Sequence, residues 1–156
     1  MREGELIQVA YLVRDLDAAM KRHWEVCGIG PWHVYTFEAP EVRDYIYRGK
    51  PASHTVLIAV TKGPEIQQEL IQPVRGRSIY DEFLETRGEG LHHIKLYYSD
   101  CSKAVADYAR RGYRVIQSGK FDDDEHYYLD TEKDFGYILE LGNAGKIRDS
   151  DRRYPG

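Results

Sequence analysis

The chain has 156 residues, of which 42% are hydrophobic and 31% are charged, and its formal net charge is −4. This composition is typical of a folded domain rather than a disordered chain, and the acidic balance argues against a nucleic-acid backbone as partner. No apolar run approaches the roughly 20 residues of a membrane helix, and the acidic N-terminus lacks the apolar core of a signal peptide, so we expect a cytoplasmic protein without a membrane partner.

In the first half of the chain, the pattern predicts a strand, a helix and then three strands. Asp15 stands at the N-cap position of the helix and Gly28 stands just after its end, where a left-handed residue is favoured. A polar excursion, residues 38–52, interrupts the strands and contains a short predicted strand at 45–48. The predicted ranges are 6–13, 16–27, 32–37, 53–61 and 66–72.

The second half repeats this order after a short helix at 78–86. Asp100 caps the second long helix, which is predicted to reach about residue 111. The predicted strands are 91–98, 113–118, 125–130 and 136–141, and residues 146–156 form a charged C-terminal tail. A repeated strand–helix–strand–strand–strand order is stronger evidence about fold than local propensity.

The register of the repeat can be checked on individual residues. Gln8 precedes Asp15 by seven residues, and His93 precedes Asp100 by seven. Each half also ends on a Glu-Leu pair, which begins with Glu69 in the first half and Glu140 in the second. The separation from Gln8 to Glu69 is longer than that from His93 to Glu140, and the difference is about the length of the excursion, residues 38–52.

Gln8, Glu69, His93 and Glu140 therefore occupy equivalent strands of the two halves. All four side chains can ligate a divalent metal. Strand alternation places Glu140 opposite the apolar face of its strand, where a buried carboxylate is costly without compensation. The alternative is that both glutamates face solvent and His93 is a hydrogen-bonded core histidine.

Four segments of the sequence resemble those of one known superfamily. They are Ile7-Gln8-Val9-Ala10-Tyr11-Leu12-Val13-Arg14-Asp15-Leu16-Asp17-Ala18-Ala19, Glu69-Leu70-Ile71-Gln72-Pro73, Gly88-Glu89-Gly90-Leu91-His92-His93-Ile94 and Gly136-Tyr137-Ile138-Leu139-Glu140-Leu141. With them, residues 5–145 resemble the vicinal oxygen chelate superfamily of glyoxalases, methylmalonyl-CoA epimerases, bleomycin-resistance proteins and extradiol dioxygenases. The Gly-Leu-His-His stretch is most similar to the epimerase and glyoxalase-like branch.

The resemblance implies an α+β fold in which two βαβββ modules form a curled, cup-shaped mixed sheet with helices outside. We expect one domain, residues 1–145, made of modules at about 5–75 and 88–145, followed by the tail 146–156.

The resemblance also implies one divalent metal ion (Zn, Ni, Co, Fe or Mn) held by Gln8, Glu69, His93 and Glu140. The sequence departs from the epimerase pattern at Gln8, which is histidine in that branch, and at Glu69, which is glutamine; the resulting set looks like that of zinc-type glyoxalase I. The implied activity is that of an isomerase, epimerase or lyase that stabilises an enolate or enediolate of a small carbonyl substrate, with Glu140 or Glu69 as catalytic base.

Residues around these ligands are candidates for substrate binding. Lys95 and Tyr97 share the face of His93, and His54 lies on a strand face with apolar residues; a lysine at the rim that reaches into water explains Lys95 equally well. His92 is predicted to be structural. Basic residues of the excursion and of the connection between the halves can bind an anionic carrier such as CoA or glutathione, or be ordinary surface charges: Arg43, Arg48, Lys50, Arg75 and Arg77.

Two other functions stay open at this point. An extradiol-type dioxygenase needs two histidines and one glutamate on iron, and Gln8 in the first histidine position argues against it. A metal-free protein that sequesters small molecules is disfavoured by His93 and the paired glutamates. The resemblance further implies a homodimer.

Overall fold

The computed structural model describes residues 1–156 and contains four helices and one sheet of eleven strands. The helices are α1 Leu16–Cys27, α2 Ile79–Arg87, α3 Cys101–Arg110 and α4 Glu132–Phe135. The strands are β1 Leu6–Leu12, β2 Trp32–Phe37, β3 Val42–Tyr47, β4 Lys50–Pro51, β5 Thr55–Thr61, β6 Gln67–Arg75, β7 Gly90–Tyr97, β8 Val115–Phe121, β9 Asp124–Leu129, β10 Ile138–Gly142 and β11 Arg152–Tyr154. No helix combines the length and apolar character that crossing a membrane requires.

The sheet is mixed and curls without closing. Its strand order is β11-β2-β5-β6-β1-β7-β10-β9-β8-β3-β4. β1 pairs parallel with β6, and β7 pairs parallel with β10, while β1 and β7 run antiparallel side by side at the centre. The first strands of the two sequence halves thus meet in the middle, and the predicted α+β cup is confirmed.

The two halves also exchange edge strands. β3, from the excursion of the first half, pairs with β8 of the second half, and β11, from the C-terminal tail, pairs with β2 of the first half. The sequence predicted neither pairing and no strand in the tail. The predicted end of β6 before Pro73 is wrong: the strand continues to Arg75, with a register shift opposite Thr55 and Val56.

Apolar residues lie on both faces of the sheet. On the outer face, Leu16 and Met20 of α1 pack in a cluster with Trp32 and Leu70, and Ala104 of α3 packs with Leu141. α2 differs from the prediction that all helices lie outside, because its apolar residues belong to the cluster of the inner face. That cluster includes Ala10, Leu12, Tyr35, Val56, Ile58, Ile79, Tyr80, Phe83 and Tyr128.

The predicted aspartate caps are confirmed in both halves. A side-chain oxygen of Asp15 accepts a hydrogen bond from the backbone N–H of Ala18 at 3.0 Å, and Asp100 accepts one from Lys103 at 2.9 Å. Each bond satisfies a donor in the first helical turn that has no intrahelical acceptor.

These caps give a matched pair of stability predictions. Asp15→Ala and Asp100→Ala are each expected to lower the free energy of unfolding by about 1 kcal/mol, because each leaves a helical N–H without a partner. Asparagine at either position keeps the acceptor and is expected to retain most of the stability. Urea unfolding followed by circular dichroism measures the difference, and equal losses for alanine and asparagine would contradict the capping role.

Candidate metal centre and cavity

The four predicted ligands lie on the four central strands. Gln8 is on β1, Glu69 on β6, His93 on β7 and Glu140 on β10. All four side chains are buried. Ala10 is the backbone partner of both Glu69 and His93, so these two residues flank β1 from opposite sides at the same height.

The donor atoms of these side chains come together. Nε2 of His93 lies 2.9 Å from Oε2 of Glu140 and 3.4 Å from Oε2 of Glu69. The shorter contact is not aligned as a hydrogen bond, and both of its atoms are buried without a hydrogen-bond partner. Oε1 of Gln8 is also buried without a hydrogen-bond partner. The other end of the same amide is engaged, since Nε2 of Gln8 donates a hydrogen bond to Oε1 of Gln67 at 2.6 Å.

His92 lies on the opposite side of His93 from the glutamates. Its Nδ1 is 2.8 Å from Nδ1 of His93, and its ring packs edge-on against Phe83 of α2. A histidine ligand coordinates through an unprotonated nitrogen, so ligation through Nε2 of His93 requires that Nδ1 of His93 carries the proton and donates it to His92. His92 is thus placed to fix both the tautomer and the ring orientation of His93.

Lys95 is buried inside the cup and does not reach water at a rim. Its Nζ lies 3.5 Å from Oε1 of Glu140 and 3.4 Å from Oδ1 of Asp124. Gly142 makes room for it: a Cβ at this position would stand 2.2 Å from Cε of Lys95. The ammonium is therefore committed to two carboxylates of the protein.

Burial and charge act against each other on these groups. Burial raises the pKa of Glu69, whereas Lys95 and His93 outweigh the burial of Glu140 and hold its pKa below the usual range. Burial would lower the pKa of His93, but Glu140 and Glu69 outweigh it and raise the pKa to about 9. A metal ion ligated by His93 would displace this proton.

The residues present fit a divalent metal ion in their chemistry. With metal–ligand distances of about 2.1 Å, donors on neighbouring coordination positions lie about 3.0 to 3.4 Å apart, which matches the two contacts of His93. The three carboxylates of Glu69, Asp124 and Glu140 face a single lysine, so a 2+ ion balances the remaining charge. In this structure no group of three or more His, Cys, Asp and Glu side chains has an arrangement that could hold a metal ion, so a metal at this cluster would require these side chains to move.

A cavity of about 500 Å³ opens from this cluster. Its lining includes Gln8, Glu69, Lys95, Glu140 and His54, five of the seven predicted site residues. His93 lies behind the glutamates, and Tyr97, at the end of β7, is half-buried outside the lining. The exposed lining residues mark its entrance: Met1, Leu6, Lys62 to Ile66 and Ala144.

Three cavity residues had no role in the sequence interpretation. Asp124 holds Lys95, and the hydroxyls of Tyr80 and Tyr128 are 2.6 Å apart beside the ring of His93. Tyr80 lies on α2, which the repeat does not include, and Asp124 is the first residue of β9. Of these three residues, only Tyr128 could have been placed in the cavity from sequence, because strand alternation puts Tyr128 and His126 on the same face of β9.

The basic residues considered for an anionic carrier lie elsewhere. Arg48 pairs with Glu82 and Arg77 with Glu85, and none of the five candidates lines the cavity. The cation that does line the entrance is Lys62, in the loop between β5 and β6.

Comparison with known families agrees with this architecture. A family model described as Glyoxalase/Bleomycin resistance protein/Dioxygenase superfamily matches residues 7–129. The chain belongs to this superfamily. A search of curated proteins found no match.

Several solved structures share the fold at low sequence identity. Methylmalonyl-CoA epimerase from Mycobacterium tuberculosis is 20% identical with a TM-score of 0.60, over 90% of this chain and 87% of that one. A methylmalonyl-CoA epimerase in complex with methylmalonyl-CoA and NH4+ is 19% identical with a TM-score of 0.61, over 95% and 99%. A hypothetical protein from Bacillus halodurans is 17% identical with a TM-score of 0.62, over 97% and 100%.

Proposed function

We propose that this superfamily member is a metal-dependent isomerase, epimerase or lyase that moves a proton next to the carbonyl of a small substrate. The observation that carries the proposal is the convergence of Gln8, Glu69, His93 and Glu140 at one end of a buried cavity. Three of their donor atoms have no other hydrogen-bond partner. A divalent metal, when bound, would supply Lewis-acid stabilisation of negative charge on the substrate oxygens.

The chain's own residues have distinct tasks in this proposal. Gln8 and His93 present neutral donors, with His92 orienting the ring of His93. Lys95 restrains one oxygen of Glu140, while the other oxygen faces His93. Glu140 is therefore better placed to stay a ligand than to move.

Glu69 is the better candidate for the base. Within the cluster, its one ion-pair contact is with Nε2 of His93 at 3.4 Å, and its carboxyl group lines the cavity. Burial raises the pKa of Glu69, which suits a group that must take up and return a proton.

A carrier for the substrate fits at the entrance. Structures similar to this one hold CoA esters, among them a Streptomyces coelicolor methylmalonyl-CoA epimerase with 2-nitronate-propionyl-CoA, which is 20% identical over 91% of this chain and has a TM-score of 0.60. We propose a CoA- or glutathione-type carrier that stays outside the cup near Lys62. Homodimer formation stays a prediction.

Solvent deuterium exchange tests the proposed chemistry. Metal-loaded protein in D2O is expected to replace the hydrogen next to the carbonyl of a small α-hydroxyketone or acyl thioester, as followed by proton NMR. Glu69→Gln is expected to slow this exchange by roughly 10²- to 10⁴-fold, because the amide cannot accept the proton. Metal content measured on the same samples should change much less than the exchange rate.

Glu25→Gln, on the exposed face of α1, is the matched control and should exchange at the wild-type rate. If exchange is absent while the metal-loaded protein consumes O2 with a catechol, the chemistry is that of a dioxygenase. If Glu69→Gln exchanges at the wild-type rate, Glu69 is not the base.

A further inference from the structure

We propose that the part of the substrate beyond its chelating oxygens is uncharged, apolar and about as large as an aromatic ring. This proposal rests on the proposed function for the end of the cavity at which the two oxygens bind. It adds the substrate class, which distinguishes this chain from an enzyme for acyl groups that carry a second charged end.

The shape and chemistry of the cavity wall support an apolar group. The wall facing the carboxylates comes from β2, β3 and β5, and its residues are Tyr35, Phe37, Val42, Val56, Ile58 and Val60. All except Phe37 are buried. About 500 Å³ is within the range of cavities that enclose small organic ligands.

The apolar wall begins directly beside the proposed metal ligands. Val60 is the backbone partner of Glu69 across β5 and β6, and Tyr128 is the partner of Glu140 across β9 and β10. A substrate whose oxygens meet the glutamates therefore extends its next atoms against Val60 and Tyr128.

The deep part of the cavity holds no free cation for a buried anion. The two lysines that line the cavity are Lys62 and Lys95. Lys95 is committed to Glu140 and Asp124, and Lys62 lies in the exposed loop at the entrance. Its two lining histidines, His54 and His126, are neutral at physiological pH because burial lowers their pKa values to about 4. A carboxylate or phosphate carried deep into this space would be buried without a partner, which is costly.

The wall still offers a place for one neutral polar group. The hydroxyl of Tyr35 and Nδ1 of His54 are buried without hydrogen-bond partners, and both residues line the cavity. A single hydroxyl or carbonyl on an otherwise apolar group can satisfy either atom, whereas a charge cannot be balanced by them.

A matched pair of ligands tests the proposal. The probes are 2-hydroxy-1-phenylethanone and its para-carboxylate, which share the same chelating oxygens and differ in charge at the far end. Binding to metal-loaded protein is measured by titration calorimetry, with ligand-observed NMR on the same samples. The neutral ketone is expected to bind at least roughly tenfold more tightly. Equal or tighter binding of the carboxylate, or no binding of either ketone at millimolar concentration, would overturn the proposal.

Two variants locate the ring. Val60→Phe and Val56→Phe each fill part of the wall, and each is expected to weaken binding of the neutral ketone by roughly tenfold or more. Val26→Phe, at an exposed position of α1, makes the same chemical change away from the cavity and should bind as the wild type does. If both wall variants fold and bind like the wild type, the ring lies elsewhere and the proposal is wrong.

These experiments distinguish failure of the proposed substrate class from failure of the proposed activity. Metal retention and deuterium exchange with tighter binding of the carboxylate would leave the activity standing and reject the substrate class. Selective binding of the neutral ketone by a protein that exchanges no deuterium would support the cavity assignment and reject the activity.

Discussion

Replacing His93 with alanine is expected to lower the affinity for Zn²⁺ or Co²⁺ by about 100-fold or more, because His93 is the one imidazole in the proposed ligand set and the centre of the cluster. Its Nε2 contacts both carboxylates, at 2.9 and 3.4 Å. Co²⁺ binding followed by visible absorption gives the affinity and reports the ligand field at the same time.

A graded series of histidine variants makes this test specific. His92→Phe keeps an aromatic ring against Phe83 and removes the hydrogen bond to His93, so we expect a loss of about 10- to 100-fold. His33→Ala, on β2 away from the cluster, should bind as the wild type does. Equal affinities of the His93 and His33 variants would show that the metal binds elsewhere.

Replacing Lys95 with methionine is expected to lower the free energy of unfolding of the metal-free protein by about 3–5 kcal/mol, since it leaves buried carboxylates without their cation. The lysine side chain is 8% exposed, and its Nζ lies 3.5 Å from Glu140 and 3.4 Å from Asp124. Urea unfolding of chelator-treated protein measures the loss.

Asp124, the second carboxylate beside Lys95, provides a check on this interpretation. Lys95→Met combined with Asp124→Asn removes one of the stranded charges, so the double variant should be more stable than Lys95→Met alone. Lys103→Met, at an exposed site of α3, makes the same substitution and should stay within about 0.5 kcal/mol of the wild type. If Lys95→Met is as stable as the Lys103 variant, the buried ion pairs do not contribute to stability.

The repeat explains how much of the fold the sequence could predict. Strand alternation and helix caps are local signals, and both halves carry them: Asp15 and Asp100 cap α1 and α3 as the spacing predicted. The central positions of Gln8, Glu69, His93 and Glu140 follow from the same register. Local signals were enough to bring these four residues together because β1 and β7 are equivalent strands of the two halves and lie side by side in the sheet.

The pairing of the exchanged strands lay beyond those signals. β3 and β11 are short segments that pair with β8 and β2, which are far away in sequence, and of the two only part of β3 was predicted as a strand, at 45–48. Pro73 ends a strand by propensity, yet β6 continues past it with a register shift opposite Val56. Tertiary pairing overrides local preference in each case.

The internal pairing of Lys95 also could not be predicted from sequence. Alternation placed Lys95 on the face of His93, but its environment depends on Asp124, the first residue of β9, and on the space above Gly142. These contacts make a lysine considered for substrate binding part of the carboxylate network.

Anomalous X-ray scattering from crystals grown with Zn²⁺ tests the central claim most directly. We expect one strong peak per chain, about 2.1 Å from Nε2 of His93 and within ligand distance of Glu69 and Glu140. A fully occupied peak elsewhere, or no peak at this cluster in crystals that contain zinc, would contradict the proposed metal centre.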